Sequence, residues 1–155
     1  MRRRSQRGMT LVELIVAFTI LTLLTALSVP LARFKVRREH ERELRFALRE
    51  MRTAIDKYKD ACDQGVLGAP KIGTDCYPET LEVLVEGVKM ANDASGKKIR
   101  FLRRIPRDPF TNQREWGMRA TQDDPQSLAW GGQNVFDVFS KTMERAGDGT
   151  PYSDW

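Results

Sequence analysis

Residues 9–32 form an almost uninterrupted apolar run, and this run constrains the fold more than any other feature of the chain. Apart from Glu13, it contains only apolar or weakly polar residues. A helix over this range would be about 36 Å long at a rise of about 1.5 Å per residue. That length is enough to cross a hydrocarbon core of about 30 Å. The sequence therefore predicts a membrane-spanning helix.

Three interpretations of the run compete. A secretory signal peptide fits the basic residues before it, but the run is longer than a usual signal core and continues past Ser28, after which a signal peptidase could cut. A plain membrane anchor leaves Glu13 unexplained, because a carboxylate inside a membrane is costly and indicates a function. The third interpretation accounts for both the length of the run and the carboxylate.

Residues 7–14, with the sequence RGMTLVEL, resemble the class III signal of type IV prepilins and pseudopilins. The resemblance implies that a membrane peptidase cuts between Gly8 and Met9 and then methylates the new amine of Met9, although phenylalanine is usual at that position. It also implies that Glu13 pairs with the terminal amine of a neighbouring subunit. Paired charges offset each other's loss of hydration, whereas either charge alone in lipid is expensive.

Pro30 lies near the end of the apolar run. Its ring removes one helix hydrogen bond and predicts a bend or a loosened turn. A simple kink where the helix leaves the membrane is one interpretation. In the resembling family, a proline at this point accompanies local melting of the helix when subunits assemble.

The helical pattern continues through residues 33–62. Apolar residues recur there at spacings of three and four, which indicates one face of an amphipathic helix. They are Leu44, Leu48, Met51, Ile55, Tyr58 and Cys62. We expect this face to pack on a following sheet, with a coiled-coil partner as the alternative.

The remaining sequence predicts an α+β protein in which the long helix packs on a small antiparallel sheet. Residues 63–98 read as a loop and a short helix that opens at Pro78, with its buried face on Leu81, Leu84, Val85 and Val88. Residues 99–155 read as a β-region, with strands near 99–105 and 115–120 that pair and a third near 135–140. Residues 1–8 would be the cleaved leader.

The carboxy-terminal residues also resemble those of major pseudopilins, in which a last strand leads into a calcium-binding loop. The resemblance implies oxygen ligands from Ser140, Asp148 and Asp154. Residues 141–145 (KTMER) depart from the acidic, glycine-rich pattern of the family. A calcium-free turn held by Asp-Gly chemistry is the alternative.

The two cysteines, Cys62 and Cys76, fit no zinc or haem spacing. An oxidising compartment would permit a disulfide between them. A buried free thiol is the alternative for Cys62, which continues the apolar stripe.

The charge of +5 arises largely from four arginines in the leader, so we expect no nucleic-acid partner. The single histidine and the lack of nucleotide-binding or nucleophile motifs argue against an enzyme. The resemblance implies a structural subunit of a type II secretion pseudopilus, with an extracellular type IV pilus as the alternative. It also implies a bacterial inner-membrane, single-pass protein with a periplasmic domain. Its expected partners are further copies of itself, other pseudopilins, the assembly platform and the prepilin peptidase.

Overall fold

The computed structural model describes residues 10–91 and 96–155, and within this range it does not describe the side chains of residues 27–33. The elements are α1 (Leu11–Asp63), α2 (Leu81–Glu86), β1 (Val88–Lys89), β2 (Lys98–Ile99), β3 (Gly117–Arg119), β4 (Asp137–Phe139) and a 3₁₀ helix (Tyr152–Asp154). The chain divides into two compact units, Met1–Glu39 and His40–Trp155. The α+β class predicted from the sequence is confirmed.

Helix α1 ends where the sequence predicts, in a glycine-terminated C-cap. Gly65 adopts a left-handed conformation with φ of 71°. Its N–H donates to the carbonyl of Cys62 at 2.8 Å, and the N–H of Val66 donates to the carbonyl of Ala61 at 2.9 Å. These two bonds are those of a Schellman motif, which satisfies carbonyls that the last helical turn leaves open.

The core of the unit His40–Trp155 lies on the apolar stripe of α1. Leu44, Met51 and Ile55 are fully buried. They share one cluster with residues from α2, the strands and the carboxy-terminal segment, namely Leu81, Leu84, Leu102, Trp116, Val135, Val138 and Tyr152. The stripe therefore packs within its own unit, as expected, and the coiled-coil alternative is not needed to explain it.

The strand pairing corrects the sequence-based prediction. The strand expected over residues 99–105 is reduced to β2, which pairs antiparallel with β1 through Val88 and Ile99. Strand β3 pairs antiparallel with β4, Gly117 opposite Phe139, and not with residues 99–105. Pro106 and Pro109 lie in the connection, where a missing N–H prevents a continuous ladder. The described region therefore contains two short sheets and not one.

Helix α2 buries Leu81 and Leu84, whereas the expected core positions Val85 and Val88 are only half-buried. Gly87 ends the helix with φ of 81°. A Cβ at this position would lie 2.7 Å from the carbonyl oxygen of Ile99. The glycine therefore permits the close approach of β1 and β2 directly after the helix.

Candidate assembly and processing sites

Glu13 lies in the first turn of α1. The N–H of Glu13 donates to the side-chain oxygen of Thr10 at 3.3 Å, so Thr10 acts as the N-cap residue. A carboxylate in the first turn is also favoured by the helix dipole. The pattern from Thr10 to Glu13 matches that of a capping box, a local role that the sequence analysis overlooked although the spacing reveals it.

The helical segment after Glu13 presents an apolar surface. Its large side chains are exposed at Leu14, Phe18 and Leu21, among others. From Leu14 to Ala26 the polar side chains are three threonines, whose hydroxyls donate to carbonyls four residues earlier at 2.7–2.8 Å. The segment thus satisfies its own hydroxyls, and Glu13 is its single charged group. An exposed apolar surface of this kind requires a partner or a lipid environment.

The predicted processing site lies at the edge of the described residues. Gly8 and Met9 fall outside them, and Pro30 falls among the residues whose side chains are not described, although α1 includes it. No helix in the described part of the chain meets the length and hydropathy that a membrane span requires. The expected span over residues 9–32 is therefore not confirmed and stays a prediction.

Cys62 and Cys76 form a disulfide that joins the last turn of α1 to the loop before α2. The two Cα atoms are 5.6 Å apart, within the usual range for a disulfide. Cys76 and its neighbour Asp75 have positive φ values of 63° and 51°. The next residue, Tyr77, packs its ring edge-on against Phe136.

The carboxy-terminal loop is closed by internal hydrogen bonds. The Asp148 carboxylate accepts from the N–H of Thr150 at 2.9 Å and from its hydroxyl at 2.7 Å. Both donors stabilise the ionised form, so the pKa of Asp148 is lowered, with the hydroxyl as the larger cause. The Arg145 guanidinium donates to the carbonyl of Gly149 at 3.0 Å, and Arg145 also forms a β-bridge with Pro151.

The three residues expected to bind calcium have other partners. Ser140 is fully buried and donates its hydroxyl to the Asp108 carboxylate at 2.5 Å. Asp154 accepts from the neighbouring Ser153 hydroxyl. The described residues contain no group of three or more His, Cys, Asp or Glu side chains that could hold a metal ion. Calcium binding by Ser140, Asp148 and Asp154 therefore stays a prediction.

Two arginines hold the carboxy-terminal segment, and the sequence analysis missed both. Arg52 of α1 donates to the Asp137 carboxylate at 2.7 and 3.3 Å, and to the carbonyl oxygen of Trp155 at 2.6 Å. Arg119 is buried, lies over the ring of Phe139, and donates to the carbonyl of Ser153. The partners of these arginines are distant in sequence, so the contacts can be recognised only when the pairing of β3 with β4 is known.

Tyr152 completes this packing. Its ring is fully buried and stacks on Phe110, with centroids 4.2 Å apart. Its hydroxyl donates to Glu41 of α1 at 2.9 Å. This hydrogen bond connects the 3₁₀ helix to the amphipathic half of α1.

Comparison with known proteins identifies relatives of the chain. Residues 3–29 match the family model described as the prokaryotic N-terminal methylation motif. The chain is 27% identical over 158 aligned positions to the type II secretion system core protein G of Klebsiella michiganensis. This alignment covers 99% of the chain and 92% of that protein. No solved structure shows a significant match.

The motif match falls on the residues that the sequence analysis singled out, and the similarity to the secretion protein extends through the carboxy-terminal unit. The long α1 followed by two small antiparallel sheets agrees with the fold that the resemblance implied. The chain thus carries the prokaryotic N-terminal methylation motif and is similar over nearly its whole length to a type II secretion system core protein G.

Proposed function

We propose that this chain is the repeating structural subunit of a type II secretion pseudopilus. The observation that carries the proposal is the segment of α1 that follows Glu13. It exposes large apolar side chains, satisfies its own hydroxyls, and has one charge, at its first turn. Such a surface suits a helix that lies in lipid before assembly and against other copies afterwards.

The proposal includes processing between Gly8 and Met9 and methylation of the new amine. The match to the methylation motif over residues 3–29 supports it. Intact-mass analysis of the protein extracted from membranes should find a chain that begins at methylated Met9. A mature chain that begins after Ser28 would show instead that a signal peptidase processes the protein and would overturn the proposal.

Glu13 serves assembly by pairing with the amine of Met9 in a neighbouring copy. Replacing the carboxylate removes a charge that disfavours insertion, so Glu13→Ala should insert normally and fail to join wild-type filaments. Glu13→Gln should fail in the same way, because it retains the shape and loses the charge. Glu82→Ala on α2 is the control and should assemble normally. Wild-type filament yield from both Glu13 variants would contradict the pairing.

The chain works through assembly and not through catalysis. Its partners in this proposal are further copies of itself, other pseudopilins, the prepilin peptidase and the inner-membrane assembly platform. The carboxy-terminal unit would then lie in the periplasm, where a disulfide between Cys62 and Cys76 can persist. The similarity to a type II secretion system core protein G favours the pseudopilus over an extracellular pilus.

A further inference from the structure

A basic groove lies between the amphipathic half of α1 and residues 103–107. It has a volume of about 1150 Å³. Two glutamates and five arginines line it, the arginines being Arg42, Arg103, Arg104, Arg107 and Arg114. The groove therefore has a positive charge, although α1 itself contributes acidic side chains.

Three of these arginines are available to a partner. Arg103, Arg104 and Arg114 are exposed, and none has a hydrogen bond or an ion pair in the described part of the chain. Phe46 lies beside them and is 68% exposed. Guanidinium groups around an exposed ring fit a partner segment that combines carboxylates with an apolar side chain.

Residues 121–134 have this combination. The charged residues of this loop are Asp123 and Asp124, and it contains no lysine or arginine. Leu128, four residues after Asp124, is 70% exposed. The other strongly exposed apolar side chains of this unit have basic neighbours: Ile72 follows Lys71, and Met143 lies between Lys141 and Arg145.

Residues 121–134, the acidic loop, are already ordered by their own hydrogen bonds. The Asp123 carboxylate accepts from the N–H of Ala120 at 2.7 Å and from that of Gly131 at 3.0 Å. The Asp124 carboxylate accepts from the N–H of Gln126 at 2.9 Å, and the indole N–H of Trp130 donates to the carbonyl of Asn134 at 2.8 Å. A preformed loop loses little conformational entropy on binding, so weak surface contacts can contribute to affinity.

Within one copy, no residue of 121–134 lines the groove. We propose that in the filament the acidic loop of one copy docks in the basic groove of another, with Asp124 facing the free arginines and Leu128 against Phe46. Such a contact joins two different surfaces, so it repeats without closing and extends a filament. This inference rests on the proposed function.

Exchanging the charges of Arg104 and Asp124 in the full chain tests the docking. Arg104→Glu and Asp124→Arg should each lower the yield of filaments about two- to fivefold, because each places like charges together at an exposed contact. The double variant should recover most of the lost yield, because the pair is restored with its charges exchanged. Lys98→Glu is the matched control, since it makes the same charge change at an exposed lysine of β2 outside the groove.

Crosslinking gives an independent measurement. Cells that produce Phe46→Cys in one copy and Leu128→Cys in another should yield a disulfide-linked heterodimer in oxidised filaments, and neither variant alone should do so. Filaments that contain both cysteine variants but form without this crosslink, or an Arg104→Glu defect that Asp124→Arg does not relieve, would overturn the docking and leave the filament function standing. If the wild-type chain formed no filaments, both proposals would fail.

Discussion

Gly117 stands directly opposite Phe139 in the ladder between β3 and β4. A Cβ at Gly117 would overlap the Phe139 ring, which packs under the Arg119 guanidinium. The position therefore requires glycine for reasons of space and not of backbone conformation. Gly117 lies inside the strand predicted near residues 115–120, where a glycine suggests a bulge or a close approach but does not reveal that Phe139 is the neighbour.

Gly117→Ala should destabilise the protein by about 1–3 kcal/mol, the usual cost of overpacking a core. Chemical denaturation of the purified full chain, followed by tryptophan fluorescence, measures the change. Gly147→Ala is the control, since a Cβ there meets nothing within 4 Å. Equal midpoints for the two variants would show that the Phe139 ring moves aside without cost.

Protonation of the Asp123 carboxylate should weaken the hydrogen bonds that order the acidic loop. The N–H groups of Ala120 and then Gly131 hold the pKa of its carboxyl below the ordinary value of 3.8. The folded pKa is thus the lower one, so this stabilisation is complete above pH 3.8 and is lost as the pH falls through the folded value.

Asp123→Ala should have a lower melting temperature than wild type, and this difference should become smaller as the pH falls below 3.8. A difference in melting temperature that does not change with pH would mean that the carboxylate charge does not hold the loop. Asp124→Ala is the reference variant, because its carboxylate accepts from one backbone N–H and not two.

For whole helices and strands, the sequence predicts correctly those features that depend on residues close together in the chain. The long α1 and the buried stripe along it follow from helical periodicity, and both were predicted correctly. The strand pairing was not, because strands of two or three residues have too little alternation to specify a partner. Their pairing depends instead on long-range packing around Trp116, Val138 and Tyr152.

The disulfide should contribute to stability by restricting the unfolded chain. Cys62 and Cys76 are separated by 14 positions, and the loop-entropy model gives about 3 kcal/mol for a loop of this size. Reduction, or the double variant Cys62→Ser/Cys76→Ser, should lower the free energy of unfolding by about that amount, and peptide mapping should find no free thiol in the native chain. An unchanged denaturation midpoint after reduction would contradict this expectation.

The carboxy-terminal loop should be insensitive to calcium. Arg145 already donates a hydrogen bond to the Gly149 carbonyl, and the N–H and hydroxyl of Thr150 already donate to the Asp148 carboxylate. Melting temperatures of the full chain in calcium, magnesium and chelator should therefore coincide, and Arg145→Ala should lower all three equally. A rise in calcium alone, lost in Asp148→Ala, would establish the cation site that the family resemblance implied.

For the whole molecule, Glu13, to which we assign assembly, and the buried core lie in different compact units. The methylation motif could be recognised from the sequence because it is contiguous, and its match covers residues 3–29. The groove and the arginine contacts could not, because they join residues up to 103 positions apart. Such sites exist only after the chain has folded.

This separation predicts opposite outcomes for two substitutions. Leu48→Ala removes a buried side chain of α1 and should cost about 2–5 kcal/mol of stability while the leader is still cut. Glu13→Ala should leave the unfolding of the carboxy-terminal unit unchanged while preventing assembly. Denaturation and intact-mass measurements on both proteins would check this, and loss of cleavage in Leu48→Ala would show that the units are coupled.

Whether Cys62 and Cys76 are reduced or joined also depends on the compartment that holds the chain. Thiols stay reduced in the cytoplasm and oxidise outside it. If the carboxy-terminal unit lies in the periplasm, as proposed, the ratio of oxidised to reduced chains in a cell would report what fraction of chains has reached that compartment. Sampled over time after synthesis, the same ratio would give the rate of this transfer without any added label.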